Sequence, residues 1–326
     1  MSLAADPPPH SVTVRAPAKI NLHLGVGGRR ADGFHPLATV FQAVGLYDDV
    51  TATADYDWSV AVHADDALGD DLDDVPLDDS NIAVRAGQAL LEHHGLEYAA
   101  ALTIRKTIPV AGGMAGGSAD AAAALVAVDR LYDLDTTDDD LLAIAARLGS
   151  DVPFALLGGT AIGEGRGELI TPVTDAGSWW WAAVPADHGL STPEVYRAFD
   201  RAAGEQPVPA PAVPEALLAA LESGDVERLA DTLDNDLAEP ALGLRPSLAA
   251  TMTDGTDSGA LTALLSGSGP TVLLLCRDGD HAREVTAQMR ERGHTRTLAV
   301  PAPVGGTHVV EYDGPTPGGG RPLGLV

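Results

Sequence analysis

Pro109-Val110-Ala111-Gly112-Gly113-Met114-Ala115-Gly116-Gly117-Ser118-Ala119-Asp120 decides how this chain is read. An apolar, β-branched strand, Leu102-Thr103-Ile104, precedes it, and an alanine-rich helix, Ala119 to Leu131, is predicted after it. Between them lie four glycines within six residues, Gly112 to Gly117. A glycine loop at a helix start exposes backbone N–H groups and sets the positive helix end against an anion. Glycine also lets the backbone approach a polyphosphate closely. An ordinary tight turn is the bland alternative, with Ser118 in either case inside the first helical turn. The loop lacks the Gly-Lys-Ser/Thr ending of a P-loop and does not fit G-x-G-x-x-G with an acidic residue about 20 positions later. A nucleotide loop of another type is therefore expected.

The rest of the chain bounds the setting. Its 326 residues are 45% hydrophobic, enough for one large or two medium cores, and only 4% aromatic, so those cores rest on Leu, Val, Ile and Ala. The single cysteine, Cys276, excludes an internal disulfide and reads as a buried strand thiol. No signal peptide or membrane span is legible, and a cytoplasmic protein is expected. The formal charge is −27, from 47 acidic and 20 basic residues. That charge opposes binding to nucleic acid or to an anionic membrane. Only Lys19 and Lys106 are lysines, a bias that fits a high-salt or high-GC source. Eight aspartates crowd residues 65–79 without calcium-loop spacing and read as a solvated loop. His23, His63, His93 and His94 lack metal-ligand spacing.

Along the chain, residues 1–10 and 313–326 read as disordered tails. Strands are expected at Val12–Ala16, Ile20–Val26, Thr39–Val44, Val50–Ala54, Trp58–Val62 and Trp179–Val184. Ser80 is the expected cap of a helix from Ile82 to His94, and Thr136 or Thr137 of one ending at Leu148. Further helices are expected at Pro193–Ala203, Glu215–Leu221, Val226–Leu233, Ser247–Met252 and Ala282–Arg292. Strands Thr271–Cys276 and Thr307–Tyr312 complete the second half. Helices and strands mix without strict alternation, so the fold class is α+β with two domains, 11–185 and 186–312.

Three motifs in order, Pro17-Ala18-Lys19-Ile20-Asn21-Leu22, the glycine loop, and Leu265-Ser266-Gly267-Ser268-Gly269-Pro270-Thr271, resemble those of the GHMP kinases. Arg29 to Leu37 (Arg-Arg-Ala-Asp-Gly-Phe-His-Pro-Leu) resembles the signature of the subfamily acting on 4-diphosphocytidyl-2-C-methyl-D-erythritol. Asp79 to Ala86, Leu148 to Phe154 and Asn235-Asp236-Leu237 match it too, and the resemblance runs from about residue 12 to 312.

The resemblance implies a two-domain GHMP fold, with an S5-like nucleotide-binding half and a ferredoxin-like second half. It implies transfer of the ATP γ-phosphoryl group, with Mg²⁺, to the substrate's 2-hydroxyl on the non-mevalonate route to isoprenoids. It assigns Lys19 and Asp151 to catalysis. Asn81, Ile82, Lys106 and the loop from Pro109 to Ala119 are assigned to the nucleotide, and Ser118 also to the metal. Asn21, Phe34, His35 and Tyr196 are assigned to the substrate. Asp151 as a turn or N-cap residue, Asn81 as a cap and Tyr196 as helix packing are the bland readings. Ala115 and Ala119 stand where relatives often carry Gly and Ser. Ala115 implies a position that does not need positive φ, and Ala119 removes a hydroxyl. A monomer or weak homodimer is expected. The alternatives are a kinase for another small alcohol, such as homoserine or mevalonate, and a non-catalytic nucleotide-binding regulator.

Overall fold

The computed structural model describes residues 11–64, 72–204 and 206–313. The tail expectations for 1–10 and from residue 314 onward lie outside these, as do seven residues of the aspartate-rich segment, 65–71. The first half runs β1 (Ser11–Val26), β2 (Leu37–Asp55), β3 (Ser59–Ala64), α1 (Ile82–His93), β4 (Ala99–Lys106), α2 (Gly116–Leu131), α3 (Asp138–Leu148), α4 (Val152–Leu157), β5 (Thr160–Gly165) and β6 (Leu169–Pro172). The second runs β7 (Trp179–Val184), α5 (Thr192–Ala203), α6 (Glu215–Ser223), α7 (Val226–Ala230), β8 (Asp234–Asn235), α8 (Ala238–Leu244), α9 (Ser247–Asp257), β9 (Thr262–Leu265), β10 (Val272–Cys276), α10 (Gly279–Glu291), β11 (Leu298–Ala302) and β12 (His308–Asp313).

β1 and β2 form one long antiparallel ribbon, so four expected strands are two. Bulges at Pro17/Ala18 and Asn21/His23 bend the ribbon without breaking it. β1 begins with strict alternation, Val12, Val14 and Ala16 pointing inward, and becomes buried on both faces beyond Ala16. Its second half is therefore the floor of the molecule, and the side chains it carries there are held rigidly. The larger sheet runs β12-β1-β2-β4-β3, with β5 and β6 continuing from β2 and β8 beside β1.

Helix α2 lies on this sheet, with every residue from Ala119 to Val128 buried. A helix that is apolar on all sides is a core helix, and small alanines let sheet and helices approach from several directions. Asn81, not Ser80, caps α1, because its Oδ1 accepts from the Ala83 N–H while Ser80 turns to Asp78. Thr137 caps α3 as expected.

The second sheet is antiparallel, β11-β7-β10-β9, with Cys276 buried in it. β7 belongs to this sheet, and β12 and β8 return to the first one. A division at residue 185 leaves β7 on the side of the first half although it pairs in the second sheet, and β8 and β12 on the side of the second half although they pair in the first. Trp179 and Trp181 are fully buried on β7. The mixed α+β class holds. Among the described residues no helix is long and apolar enough to cross a membrane.

Candidate active site

The glycine loop leaves β4 at Lys106 and enters α2 at Gly116. Its carbonyls face the body of the protein. Lys19 N–H donates to Met114 O (3.1 Å), Thr271 N–H to Gly112 O (3.2 Å) and Ser266 Oγ to Gly113 O (3.0 Å). The first N–H groups of α2 have no partner within the helix. The second glycine loop, Ser266 to Pro270, packs directly on the first. A Cβ at Gly113, where φ is +79°, would stand 2.5 Å from Ser266 O and 2.7 Å from Gly269 O. Asn235 fixes this second loop by donating to both Leu265 O and Gly267 O at 2.8 Å.

Ala115 contradicts expectation. It takes φ +59°, in the left-handed region, and Ala111 takes +52°. The backbone must turn there to start α2, and tight anchoring on both sides sustains a conformation that costs an alanine about 1 kcal/mol. The helix also begins three residues earlier than predicted, so Ser118 is its third residue.

A cavity of about 880 Å³ opens in front of both loops. It collects Lys19, Asn21, Phe34, His35, Asn81, Ile82, Lys106, Asp151 and Tyr196, together with Pro109 to Gly113 and Ala115 to Gly117. Met114, Ser118 and Ala119 do not line it. Met114 and Ala119 are core residues, and only the Met114 carbonyl serves the site, through Lys19.

At the centre, Lys19 and Asn21 project from the same face of β1. Lys19 Nζ donates to Asn21 Oδ1 (2.7 Å), lies 3.6 Å from Asp151 Oδ2 and sits over the Phe41 ring. Asn21 Nδ2 donates to Thr39 Oγ1, whose hydroxyl donates to His23 O, so this row of donors is fixed. Gly267 crosses above with φ +56°, and a Cβ there would approach Asn21 Oδ1 and Lys19 Nζ to 3.3 and 3.4 Å. Asp151 stands at the N-cap position of α4 but makes no capping bond. The cap alternative thus fails, and the carboxylate is left facing Lys19.

The other lysine is placed differently. Lys106 Nζ is buried between Asp48 Oδ2 (2.5 Å) and Asp120 Oδ2 (2.7 Å). Asp48 Oδ1 also accepts from the N–H groups of Thr107 and Ile108. The triad therefore staples β2, the end of β4 and the start of the second turn of α2 around the loop. Burial opposes the Lys106 charge, yet the two carboxylates outweigh it and raise its pKa. Burial pushes Asp120 up to about 7, against the pull of Lys106. Asp48 is held by three donors, whereas Asp120 Oδ1 is buried without a hydrogen-bond partner among the described residues.

At the far end, His35 Nε2 meets Asp200 Oδ1 at 2.8 Å, and its ring stacks on Tyr196 with centroids 5.0 Å apart. Tyr196 and Asp200 are one turn apart on α5. Burial, with Asp151 nearby, raises the Tyr196 pKa. Phe34 stays half exposed, its ring covered by the Arg166 guanidinium at 5.1 Å. Asn81 lines the cavity, but its side chain is spent on the cap and on Pro76 O, so the cap reading holds for it. The sequence motifs do not include Arg166, Asp200 or Asp48, and Asp120, which closes the glycine-loop stretch, has no role assigned from sequence. Only their proximity in the fold marks them. Among the described residues no group of three or more His, Cys, Asp or Glu side chains is arranged to hold a metal ion.

Comparison with known proteins places the chain in a family. Residues 81–159 match the family "GHMP kinases N terminal domain", and residues 217–295 match "GHMP kinases C terminal". The chain is 61% identical, over 92% of its length and 100% of the relative's, to the 4-diphosphocytidyl-2-C-methyl-D-erythritol kinase of a Nocardioides species. It is 50% identical, over 92% and 100%, to that of Streptomyces avermitilis. A crystal structure of 4-(cytidine 5′-diphospho)-2C-methyl-D-erythritol kinase superposes with a TM-score of 0.72 at 33% identity, covering 90% of this chain and all of the other. Homoserine kinase from Cytophaga hutchinsonii shares the fold alone, with a TM-score of 0.68 at 17% identity over 95% and 100%. The chain belongs to the 4-diphosphocytidyl-2-C-methyl-D-erythritol kinase family of GHMP kinases.

Proposed function

We propose that the enzyme transfers the γ-phosphoryl group of ATP to the 2-hydroxyl of 4-diphosphocytidyl-2-C-methyl-D-erythritol, as a cytoplasmic monomer or weak homodimer in isoprenoid precursor synthesis. The observation that carries this reading is the Lys19–Asp151 pair at 3.6 Å, set between an anion-binding loop and an aromatic cluster within one cavity. Phosphoryl transfer asks the protein mainly for positioning and charge stabilisation. The glycine loop and the start of α2 receive the nucleotide phosphates, beside Asn81 and Ile82. Phe34, His35 and Tyr196 receive the cytosine, and Asn21 fixes the sugar-alcohol end.

Asp151 Oδ accepts the proton of the 2-hydroxyl as that oxygen bonds to the γ-phosphorus and the bond to the β–γ bridging oxygen breaks, releasing ADP. Lys19 faces both Asp151 and the transferring oxygens and offsets their negative charge. Lys106 does not reach the nucleotide freely; it supports the loop from below. Mg²⁺ associated with nucleotide phosphates needs only one or two protein carboxylates. Asp151, which lines the cavity with its carboxylate part-exposed, would fit that need, whereas Asp120 is committed to Lys106 and its free Oδ1 is buried. Ser118 joins Asp151 only where its hydroxyl turns toward the cavity mouth. The ion supplies neutralisation of charge on the β- and γ-phosphates.

The test is an ATP-coupled assay with the cytidyl substrate, homoserine and mevalonate, followed by ³¹P mapping of the product. Turnover confined to the cytidyl substrate, with phosphate on its 2-hydroxyl, is expected. A preference for either small alcohol, or ATP binding with no turnover, would overturn the assignment.

A further inference from the structure

We propose that Arg166 is a specificity-determining residue that grips the diphosphate joining the two ends of the substrate; this rests on the cytidyl reading above. Arg166 follows β5 directly and lines the same cavity as the catalytic pair. Its guanidinium covers the Phe34 ring at 5.1 Å, so it touches the base end. Its backbone neighbour Gly167 lies at the transfer end. A Cβ there would stand 3.4 Å from the Phe41 ring and 3.9 Å from Ser150 Cβ. Phe41 carries Lys19 on its face, and Ser150 precedes Asp151. Arg166 and Gly167 together thus lie between the two places that must hold the cytosine and the reacting hydroxyl. In a molecule with those groups at opposite ends, the linking diphosphate has to pass this point.

The chemistry of the side chain agrees. The Arg166 N–H donates to Glu168 Oε2 (2.6 Å), and its Nε makes a long contact to Glu168 Oε1 (3.4 Å). Its two Nη groups make no hydrogen bond among the described residues. Glu168 therefore orients the guanidinium without occupying its outer fork. A planar fork with free donors matches two neighbouring phosphate oxygens, a geometry that lysine does not reproduce. Among the cavity's other cations, Lys19 and Lys106 are committed to Asp151 and to the buried triad. Arg29 is turned to Gly33 O, and Arg197 sits far out on α5, with its side chain 61% exposed. In a chain of net charge −27, a part-exposed guanidinium lining the cavity is one of the few cations there able to meet a phosphate.

Calorimetric titration of CDP and of cytidine into the wild type, Arg166→Leu and Arg166→Lys provides the test, with KM values for both substrates measured alongside. Leucine keeps apolar cover on Phe34, so base stacking survives. Charge-assisted contacts of this kind set the expected loss of CDP affinity in Arg166→Leu at roughly 10- to 100-fold. Cytidine affinity and the KM for ATP should stay within about threefold, and Arg166→Lys should fall between. Equal losses for CDP and cytidine would reduce Arg166 to a packing partner of Phe34, and unchanged CDP affinity would overturn the proposal outright. A wild type that ignores the cytidyl substrate would instead sink the parent reading, so the two failures are distinct.

Discussion

The two ends of the cavity are made of different material. The nucleotide end is backbone: glycines, left-handed residues, carbonyls tied inward and a helix start. The substrate end is side chain: Phe34 under Arg166, and His35 between Tyr196 and Asp200. The first is dictated by local sequence, because a backbone cradle requires particular φ values and the absence of Cβ atoms. The second exists only once a turn after β1, the end of β5 and one face of α5 have come together. Lys19 and Asp151 stand at the seam, supplied by a β-strand floor and a helix start.

This contrast can be broken at either end. Gly113→Ala should have the largest structural effect, since a methyl group would meet two fixed carbonyl oxygens at 2.5 and 2.7 Å in a left-handed conformation. Destabilisation of at least about 2 kcal/mol by denaturant titration, with a large loss of ATP affinity, is expected. Wild-type stability would mean that the two loops are not packed as described. Phe34→Ala acts at the other end. It should raise the KM for the cytidyl substrate roughly tenfold and leave that for ATP unchanged, because an aromatic contact and its buried area are lost at one site only. Parallel rises in both KM values would erase the division between the ends.

A smaller effect separates the buried triad from both. Burial holds Asp120 at about 7 in the folded chain, above its value in an unfolded one. The folded state then binds an extra proton between roughly pH 4 and 7. Stability from this group is present at the acid side of that window and is lost as pH rises through it. Asp120→Asn should flatten that slope, removing up to about 1.4 kcal/mol per pH unit within the window, while the Lys106–Asp48 pair persists. An unaltered pH–stability curve would place the titration elsewhere.

What the sequence disclosed follows the same division. Four clustered glycines announced the loop, and the order of three motifs announced the family. Ala115 departs from its sequence expectation because a side chain is a poor guide where tertiary anchoring imposes the backbone conformation. In the sequence, β1 and β2 each look like two strands, since their bulges resemble breaks in alternation. β11 carries no clear strand signal because Pro301 interrupts it, which an edge strand tolerates. Arg166 and Asp200 carry no local signal: each is an ordinary surface-type residue until a partner about 130 or more positions away reaches it.

The seam itself offers the most direct measurement. Asp151→Asn keeps the size and polarity of the side chain and removes only its capacity to accept the hydroxyl proton. Single-turnover phosphorylation of the cytidyl substrate should slow by about 10²- to 10⁴-fold, with Kd values for both substrates within about threefold of wild type. Turnover within tenfold of wild type would contradict the assignment of Asp151 as the base, and with it the account of how the two ends are joined.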